Sequence, residues 1–141
     1  MAWTTLEFMN KYAKFRRIVR EEYMKDNEIS SGTDLTDYDW ATINLWTLAN
    51  SITPEDTRYF KTLRMTNYAN RWGYLDSQYW AILSESVRVI RKNQCELCHS
   101  SDASLKTEVH HLGYLNCGCE FEHLDDLQLL CSSCHKKVHN R

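Results

Sequence analysis

Every cysteine and every histidine of this chain lies in its last third, and this segregation constrains the fold more than any other feature. The six Cys and six His all fall between Cys95 and His139. The cysteines of disulfide scaffolds are usually spread along a small secreted chain. Clustered Cys and His in a chain without a visible secretory signal are instead typical of metal ligands. The sequence therefore predicts a metal-stapled C-terminal module.

Two C-x-x-C pairs carry the strongest metal signal. Each pair offers two thiolates on one tight turn, and two facing turns give the tetrahedral sulfur site that zinc prefers. The alternative is that these cysteines are buried or redox-active thiols. A single C-x-x-C pair would leave that alternative open, whereas two pairs favour metal binding. Cys117 and Cys119 lie between the pairs and are interpreted as free loop thiols, with replacement of one ligand as the alternative. The predicted ligands of one structural Zn²⁺ are Cys95, Cys98, Cys131 and Cys134.

The first two-thirds of the chain predict four helices. Apolar residues recur at helical spacing over residues 4–28, from 36 or 37 to about 50, from 53 onward, and from 76 or 77 to about 92. In the second helix, Trp40, Ile43 and Trp46 are expected to form the buried stripe. After Cys95, residues 107–110 and 127–130 predict strands, and residues 132–140 predict a short helix.

Four histidines flank the second cysteine pair in a pattern that suits metal binding. His110 and His111 are adjacent on a predicted strand, so their side chains point to opposite faces. His135 and His139 are four residues apart on the predicted last helix and share one face. A neutral imidazole can accept a proton from water near neutral pH and can bind a divalent metal. The two other histidines, His99 and His123, are interpreted as ordinary surface or core residues.

These positions together resemble HNH endonucleases with a four-cysteine zinc site. The matching pattern is C-x-x-C, V-H-H-x-x-Y, G-x-E and D-D-L-x-x-L-C-x-x-C-H-x-x-x-H, in that order. Residues 74–80 also resemble the Y-L-x-S-x-x-W lead-in of such proteins. The resemblance covers residues 74–139, nearly half of the chain, whereas residues 1–73 resemble no family that can be named.

The resemblance implies a ββα-metal module that hydrolyses DNA phosphodiester bonds, as a nick or a double-strand cut, and leaves 5′-phosphate and 3′-hydroxyl ends. His110 and His135 would bind one catalytic divalent metal, and His139 would be a third ligand or a phosphate contact. His111 would be the general base. Asp126 stands where the family has Asn, a residue that holds the loop and orients the base. Imidazole ligands admit Mg²⁺, Mn²⁺, Ni²⁺ or Zn²⁺ at such a site.

The expected fold class is α+β, mainly α. A helical region of unknown role over residues 1–73 would precede a zinc-bound ββα-metal (HNH) module over residues 74–141, which includes its lead-in helix. DNA is the expected partner, although the net charge of −2 is unusual for a phosphate-binding protein. Basic residues are concentrated between Arg58 and Lys92, and this segment is expected to steer the DNA. Residues 11–20 hold a second basic stripe, for which a solvated helix face is the preferred interpretation. The predicted DNA contacts are Arg88, Arg91, Lys92, Lys136 and Lys137.

Two other function classes are compatible with the sequence. One is a zinc-containing nucleic-acid-binding module that does not cut. The other is a docking protein whose Tyr- and Trp-rich N-terminal helices bind a larger assembly or a second copy. No apolar run is long enough for a bilayer, and residues 1–10 show no secretory signal. A cytoplasmic protein without a membrane partner is therefore expected, in a host cytoplasm if a phage or mobile element encodes it.

Overall fold

The computed structural model describes residues 5–65, 77–101 and 105–139. These residues form five α-helices and one two-stranded antiparallel sheet, which confirms the expected mainly helical α+β class. The predicted boundary between residues 73 and 74 lies outside the described ranges. The elements in chain order are α1 (Thr5–Asp26), α2 (Asp37–Ser51), α3 (Pro54–Met65), α4 (Gln78–Ile90), β1 (Thr107–His111), β2 (Leu127–Cys131) and α5 (Ser132–His139).

Side-chain caps define the starts of the helices. The Thr36 hydroxyl accepts the Asp39 N–H, and the Asp39 carboxylate accepts the Thr36 N–H, which is a reciprocal capping box at α2. Thr53 and Asp56 exchange the same two bonds at the start of α3. These caps satisfy backbone donors that have no partner inside the helix. The helix starts predicted at residue 36 or 37 and at residues 53–54 are confirmed.

One apolar core joins the N-terminal helices to the C-terminal sheet. Its central members are contributed by all four long helices and by β2, and the side chains of Val109, Phe121 and Leu124 pack against it from the C-terminal module. Burying each large apolar side chain contributes roughly 1.5–3 kcal/mol. The C-terminal module therefore rests on the N-terminal helices. The buried members are Phe8, Tyr12, Leu45, Leu48, Phe60, Tyr79, Trp80, Leu83, Val87 and Leu127.

The predicted buried stripe of α2 is wrong for Trp46. Its side chain is 48% exposed and meets the Tyr23 ring edge-on, with ring centroids 5.6 Å apart. The buried face of α2 is centred on Leu45 and Leu48 instead. Each residue turns about 100° around the helix axis, so the residue after Leu45 leaves that face. The other two residues of the predicted stripe are less exposed: Ile43 is fully buried and Trp40 is half-buried.

The sheet pairs β1 with β2 in antiparallel register, with Thr107 opposite Cys131 and His111 opposite Leu127. A two-stranded hairpin is at best marginally stable in water by itself. Here one face of the hairpin packs on α4 and the other meets α5, which begins directly after β2. The described part of the chain contains no helix with the length and apolar character needed to cross a membrane.

Candidate metal centres

The four cysteines of the two C-x-x-C pairs converge on one point. Their Sγ atoms all lie within 4.8 Å of one another, and the sulfurs of Cys98 and Cys131 are 3.8 Å apart. Sulfurs bound to one tetrahedral zinc at about 2.3 Å lie about 3.8 Å from one another. The prediction that these residues come together is confirmed, and the cluster could hold a structural metal ion. Its members are Cys95, Cys98, Cys131 and Cys134.

The backbone holds the two cysteine pairs against each other. The Glu96 N–H, inside the first pair, donates to the Leu129 carbonyl of β2 over 2.8 Å, and the Glu96 carboxylate accepts the Leu129 N–H. The second pair straddles the junction of β2 and α5. Leu130 lies fully buried in one apolar cluster with Cys95, Cys131 and Cys134. The first pair is therefore fastened to the strand that leads into the second pair.

The thiols of Cys95 and Cys134 differ in the direction in which their pKa is shifted. Burial opposes ionisation of Cys95, but N–H groups of Cys98, Cys131 and Leu97 donate to its sulfur and lower its pKa to about 6. The pKa of Cys134 is raised to about 12, first by a hydrogen bond with the Cys131 side chain and then by burial. Adjacent thiols resist joint ionisation because their charges repel one another. A divalent cation reverses that balance, because thiolates bound to it are deprotonated.

Three histidines form a second cluster on the face of the sheet that meets α5. One nitrogen of each of His110, His135 and His139 lies within 4.8 Å of the others. The Nε2 atoms of His135 and His139 are 2.9 Å apart. Adjacent ligands of one metal ion at about 2.1 Å lie about 3.0–3.4 Å apart. These side chains could therefore bind one cation with a small adjustment, and two neutral ring nitrogens at this separation need a cation or a proton between them.

Glu108 fixes the orientation of this histidine cluster. It lies two residues before His110 on β1, so both side chains occupy the same face of the strand. Its carboxylate bonds the Nδ1 atom of His135. An ionised carboxylate only accepts hydrogen bonds, so Nδ1 carries the proton and the Nε2 lone pair is directed at the cluster. Carboxylates behind metal-binding histidines have this orienting role in many proteins.

His111 belongs to a third group, on the opposite face of β1. Its Nε2 atom lies 2.8 Å from the Glu120 Oε2 atom, and the side chains of both residues are buried. The imidazole stacks on Trp80, with centroids 4.7 Å apart and planes 20° apart, and the Tyr114 ring lies 5.4 Å away. Of the four histidines predicted to form the site, the structure brings three together and separates His111 from them by the alternation of the strand.

Glu120 is held by other donors besides His111. Its Oε1 atom accepts the Tyr79 hydroxyl at 2.7 Å and the Gly118 N–H at 2.9 Å. Gly118 has φ +91°, and a Cβ atom at that position would lie 2.6 Å from the Thr57 carbonyl oxygen of α3. Glycine is therefore required where the loop approaches α3 and turns its N–H towards Glu120.

Asp126 anchors the loop between the two strands. Its carboxylate accepts the Asn116 side-chain N–H at 2.6 Å, and its carbonyl accepts the Leu112 N–H at 2.7 Å. Leu112 directly follows His111, so these bonds fix the end of β1. The role that the resemblance implies for Asp126, which is to hold the loop and orient the base, stays a prediction. The ring of His111 is bonded to Glu120.

The five cations predicted to contact DNA divide into two groups. The Arg91 guanidinium donates to the carbonyls of Leu127 and Leu124, at 2.6 and 2.8 Å, and pairs with Glu96. Arg88 likewise donates to the Thr107 carbonyl at 3.2 Å. These two arginines hold the sheet against α4. The other three cations, Lys92, Lys136 and Lys137, are exposed.

Sequence reasoning missed three partners of the predicted residues. Glu108 had a detectable signal, because residues two apart on a strand share a face. Glu120 belongs to the G-x-E motif but received no role. Tyr79 lies on the apolar face of α4, and nothing in its spacing indicates a hydroxyl bond to a residue 41 positions later. Comparison of the chain with protein families, with curated proteins and with solved structures gave no match.

Proposed function

We propose that this chain is a metal-dependent DNA endonuclease of the HNH type. The single observation that carries the proposal is the convergence of His110, His135 and His139 on one point, with Glu108 behind His135. The residues are drawn from β1 and α5, and the four-cysteine cluster fastens β2 and α5 to the segment that precedes β1. This arrangement supports the metal-ligand roles that the sequence resemblance implies for His110, His135 and His139.

The four cysteines are proposed to bind a structural Zn²⁺. The set is all sulfur and largely buried, which suits a closed zinc site without an open position for water. The histidine cluster differs in both respects. It is only partly buried, and three imidazoles leave positions open for phosphate and water. We therefore assign structure to the first cluster and chemistry to the second.

A divalent ion held by the three histidines would supply positive charge where the phosphodiester becomes more negative during cleavage. The residues of the chain then have separate tasks. Glu108 keeps the Nε2 lone pair of His135 directed at the ion site. His139 is presented on the same helix face, one turn later. The exposed ammonium groups of Lys136 and Lys137 lie on that helix and would attract the phosphate backbone.

His111 is proposed as the general base. Glu120 already accepts bonds from Tyr79 and Gly118, and a carboxylate has no proton to donate, so His111 Nε2 carries the proton of the pair. The proton-accepting nitrogen of the neutral ring is then Nδ1. A carboxylate behind an imidazole also stabilises the cation that forms when the ring takes a proton. The pair therefore favours proton acceptance by His111.

A plasmid-cleavage assay tests the function. Supercoiled plasmid is incubated with the zinc-loaded protein and with Mg²⁺, Mn²⁺, Ni²⁺ or added Zn²⁺ in separate reactions. We expect nicked or linear product with at least one ion. His135→Ala should lower cleavage on the order of a hundredfold at low metal concentration, with partial recovery at high concentration. His123→Ala is the matched control, since that exposed histidine lies outside the cluster.

Failure of all four ions, with folded protein and intact zinc content, would overturn the nuclease proposal. DNA binding without cleavage would then favour the non-cutting nucleic-acid-binding module. Absence of both activities would favour the docking protein.

A salt titration tests the proposed DNA surface. Replacing Lys136 and Lys137 with Gln should reduce the slope of log affinity against log salt concentration by roughly 0.9 for each phosphate that the variant no longer neutralises. The matched control replaces Lys14 and Arg17 with Gln, because these cations lie on α1, away from the histidine cluster. A slope that is unchanged in the first variant but reduced in the control would show that DNA follows α1 instead.

A further inference from the structure

A buried group of three metal-binding side chains lies apart from both the four-cysteine cluster and the histidine cluster. The ligand atoms of His111, Cys117 and Glu120 lie within 4.8 Å of one another. Cys117 and Glu120 are each 1% exposed, and His111 is 8% exposed. An imidazole, a thiol and a carboxylate together are the three ligand types that zinc uses in proteins.

We infer that His111, Cys117 and Glu120 form a third metal site, selective for a thiophilic divalent cation such as Zn²⁺. The site is distinct from the four-cysteine cluster and lies across β1 from the histidine cluster. A thiolate and a carboxylate would bring two negative charges, which balance those of a divalent cation. This balance is important because burying an ion without compensating charge has a large free-energy cost.

The surroundings already hold two of the three ligands in position. The Tyr79 hydroxyl and the Gly118 N–H both donate to the Glu120 Oε1 atom, and the Oε2 atom faces His111. Stacking on Trp80 restrains the imidazole from the side. The ligands therefore need little ordering when the ion binds, which removes part of the entropic cost of binding.

The movement required of His111 and Glu120 is small. The His111 nitrogen and the Glu120 oxygen are 2.8 Å apart, whereas two such ligands on a tetrahedral zinc lie about 3.4 Å apart. A shift of roughly half an ångström, shared by two side chains, opens that distance. Burial excludes the other chemistry that a Cys, a His and a carboxylate suggest. A nucleophilic cysteine must meet its substrate, and a sulfur that is 1% exposed does not.

Ligand chemistry separates this site from the histidine cluster. A thiolate favours Zn²⁺ and Co²⁺ over Mg²⁺, while three imidazoles without sulfur also serve harder ions. An ion bound here would take the His111 nitrogen that otherwise bonds Glu120. The proton of the ring would then lie on Nδ1, which is the accepting nitrogen under the proposed function, so a thiophilic metal would remove the base and inhibit cleavage. That consequence rests on the proposed function, but the binding test uses no DNA.

Cobalt is the probe for this site. Full-length protein with zinc in its four-cysteine cluster is titrated with Co²⁺, and thiolate-to-cobalt charge-transfer absorption is followed in the near ultraviolet. The histidine cluster has no sulfur and gives no such band. We expect one further equivalent of thiolate-bound Co²⁺ in the wild type, retained in Cys119→Ser and lost in Cys117→Ser. Cys119 is the matched control, two residues away in the same loop.

Two results would overturn the inference. One is a wild-type protein that develops no thiolate band beyond exchange at the four-cysteine cluster, and the other is a band that persists in Cys117→Ser. If Cys117→Ser does not fold, Glu120→Gln keeps the volume of the side chain and removes its charge. The Glu120→Gln protein should keep the band but bind Co²⁺ on the order of tenfold more weakly or worse. Unchanged affinity in this variant would also contradict the site.

Discussion

Removing the metal from the four-cysteine cluster is expected to unfold the C-terminal module. Structural zinc contributes roughly 10–16 kcal/mol in small zinc-binding peptides, and a whole domain is stable by only about 5–15 kcal/mol. The two-stranded sheet and the eight-residue α5 are too small to be stable by themselves, so they depend on the cysteine cluster and on their packing against the rest of the chain. The core is shared, so the loss should also weaken α4, which packs on the sheet. We expect a strong chelator to abolish hydrogen-exchange protection in β1 and β2.

The experiment compares two cysteine variants with the chelated wild type. Cys131→Ser removes a ligand from the end of β2 and should reproduce the chelated state even without chelator. Cys119→Ser is the control, because this thiol lies outside the quartet. It should keep the zinc content of the wild type by elemental analysis and full protection of the sheet. Zinc-free protein with a protected sheet would contradict the structural role of the quartet.

Local patterns were sufficient to predict the elements of this fold. Each of the caps at Thr36 and Thr53 involves residues only a few positions apart, and so does the helical spacing of apolar residues. These elements can therefore be identified directly from the sequence. The convergence of the cysteine pairs was also predictable, because each pair is a local turn that supplies two ligands and a tetrahedral zinc site needs four. The exposure of Trp46 was not predicted, because the buried face of α2 depends on how α1 and α4 pack against this helix.

The partners of the histidines were harder to predict for the same physical reason. The bond between Glu108 and His135 joins residues 27 positions apart, and the bond between Tyr79 and Glu120 joins residues 41 apart. Periodicity assigns a residue to a face but does not identify what meets that face. Arg91 illustrates the problem for charges. Its position in a basic segment favoured a DNA contact, while the structure directs its guanidinium to two backbone carbonyls.

Replacing His111 with Gln is expected to abolish most DNA cleavage while preserving the zinc, the fold and the DNA affinity. Loss of a positioned base typically costs on the order of a hundredfold or more in rate. The glutamine amide can still donate to Glu120, so it avoids a buried carboxylate without its partner. His111→Ala would leave that carboxylate short of a donor and open a gap beside Trp80, and the resulting instability would obscure the chemistry.

The comparison with His110→Ala separates the two adjacent histidines. His110 lies in the metal-binding cluster, so its loss should weaken metal binding and be partly rescued by higher metal concentration. His111→Gln should show no such rescue, because the ion site across the strand is intact and the missing function is proton acceptance. Single-turnover cleavage over a range of Mn²⁺ or Mg²⁺ concentrations distinguishes the two responses. A folded His111→Gln protein that cuts at the wild-type rate would exclude His111 as the base. His139, on the opposite face of the sheet, would then be the next candidate for the base.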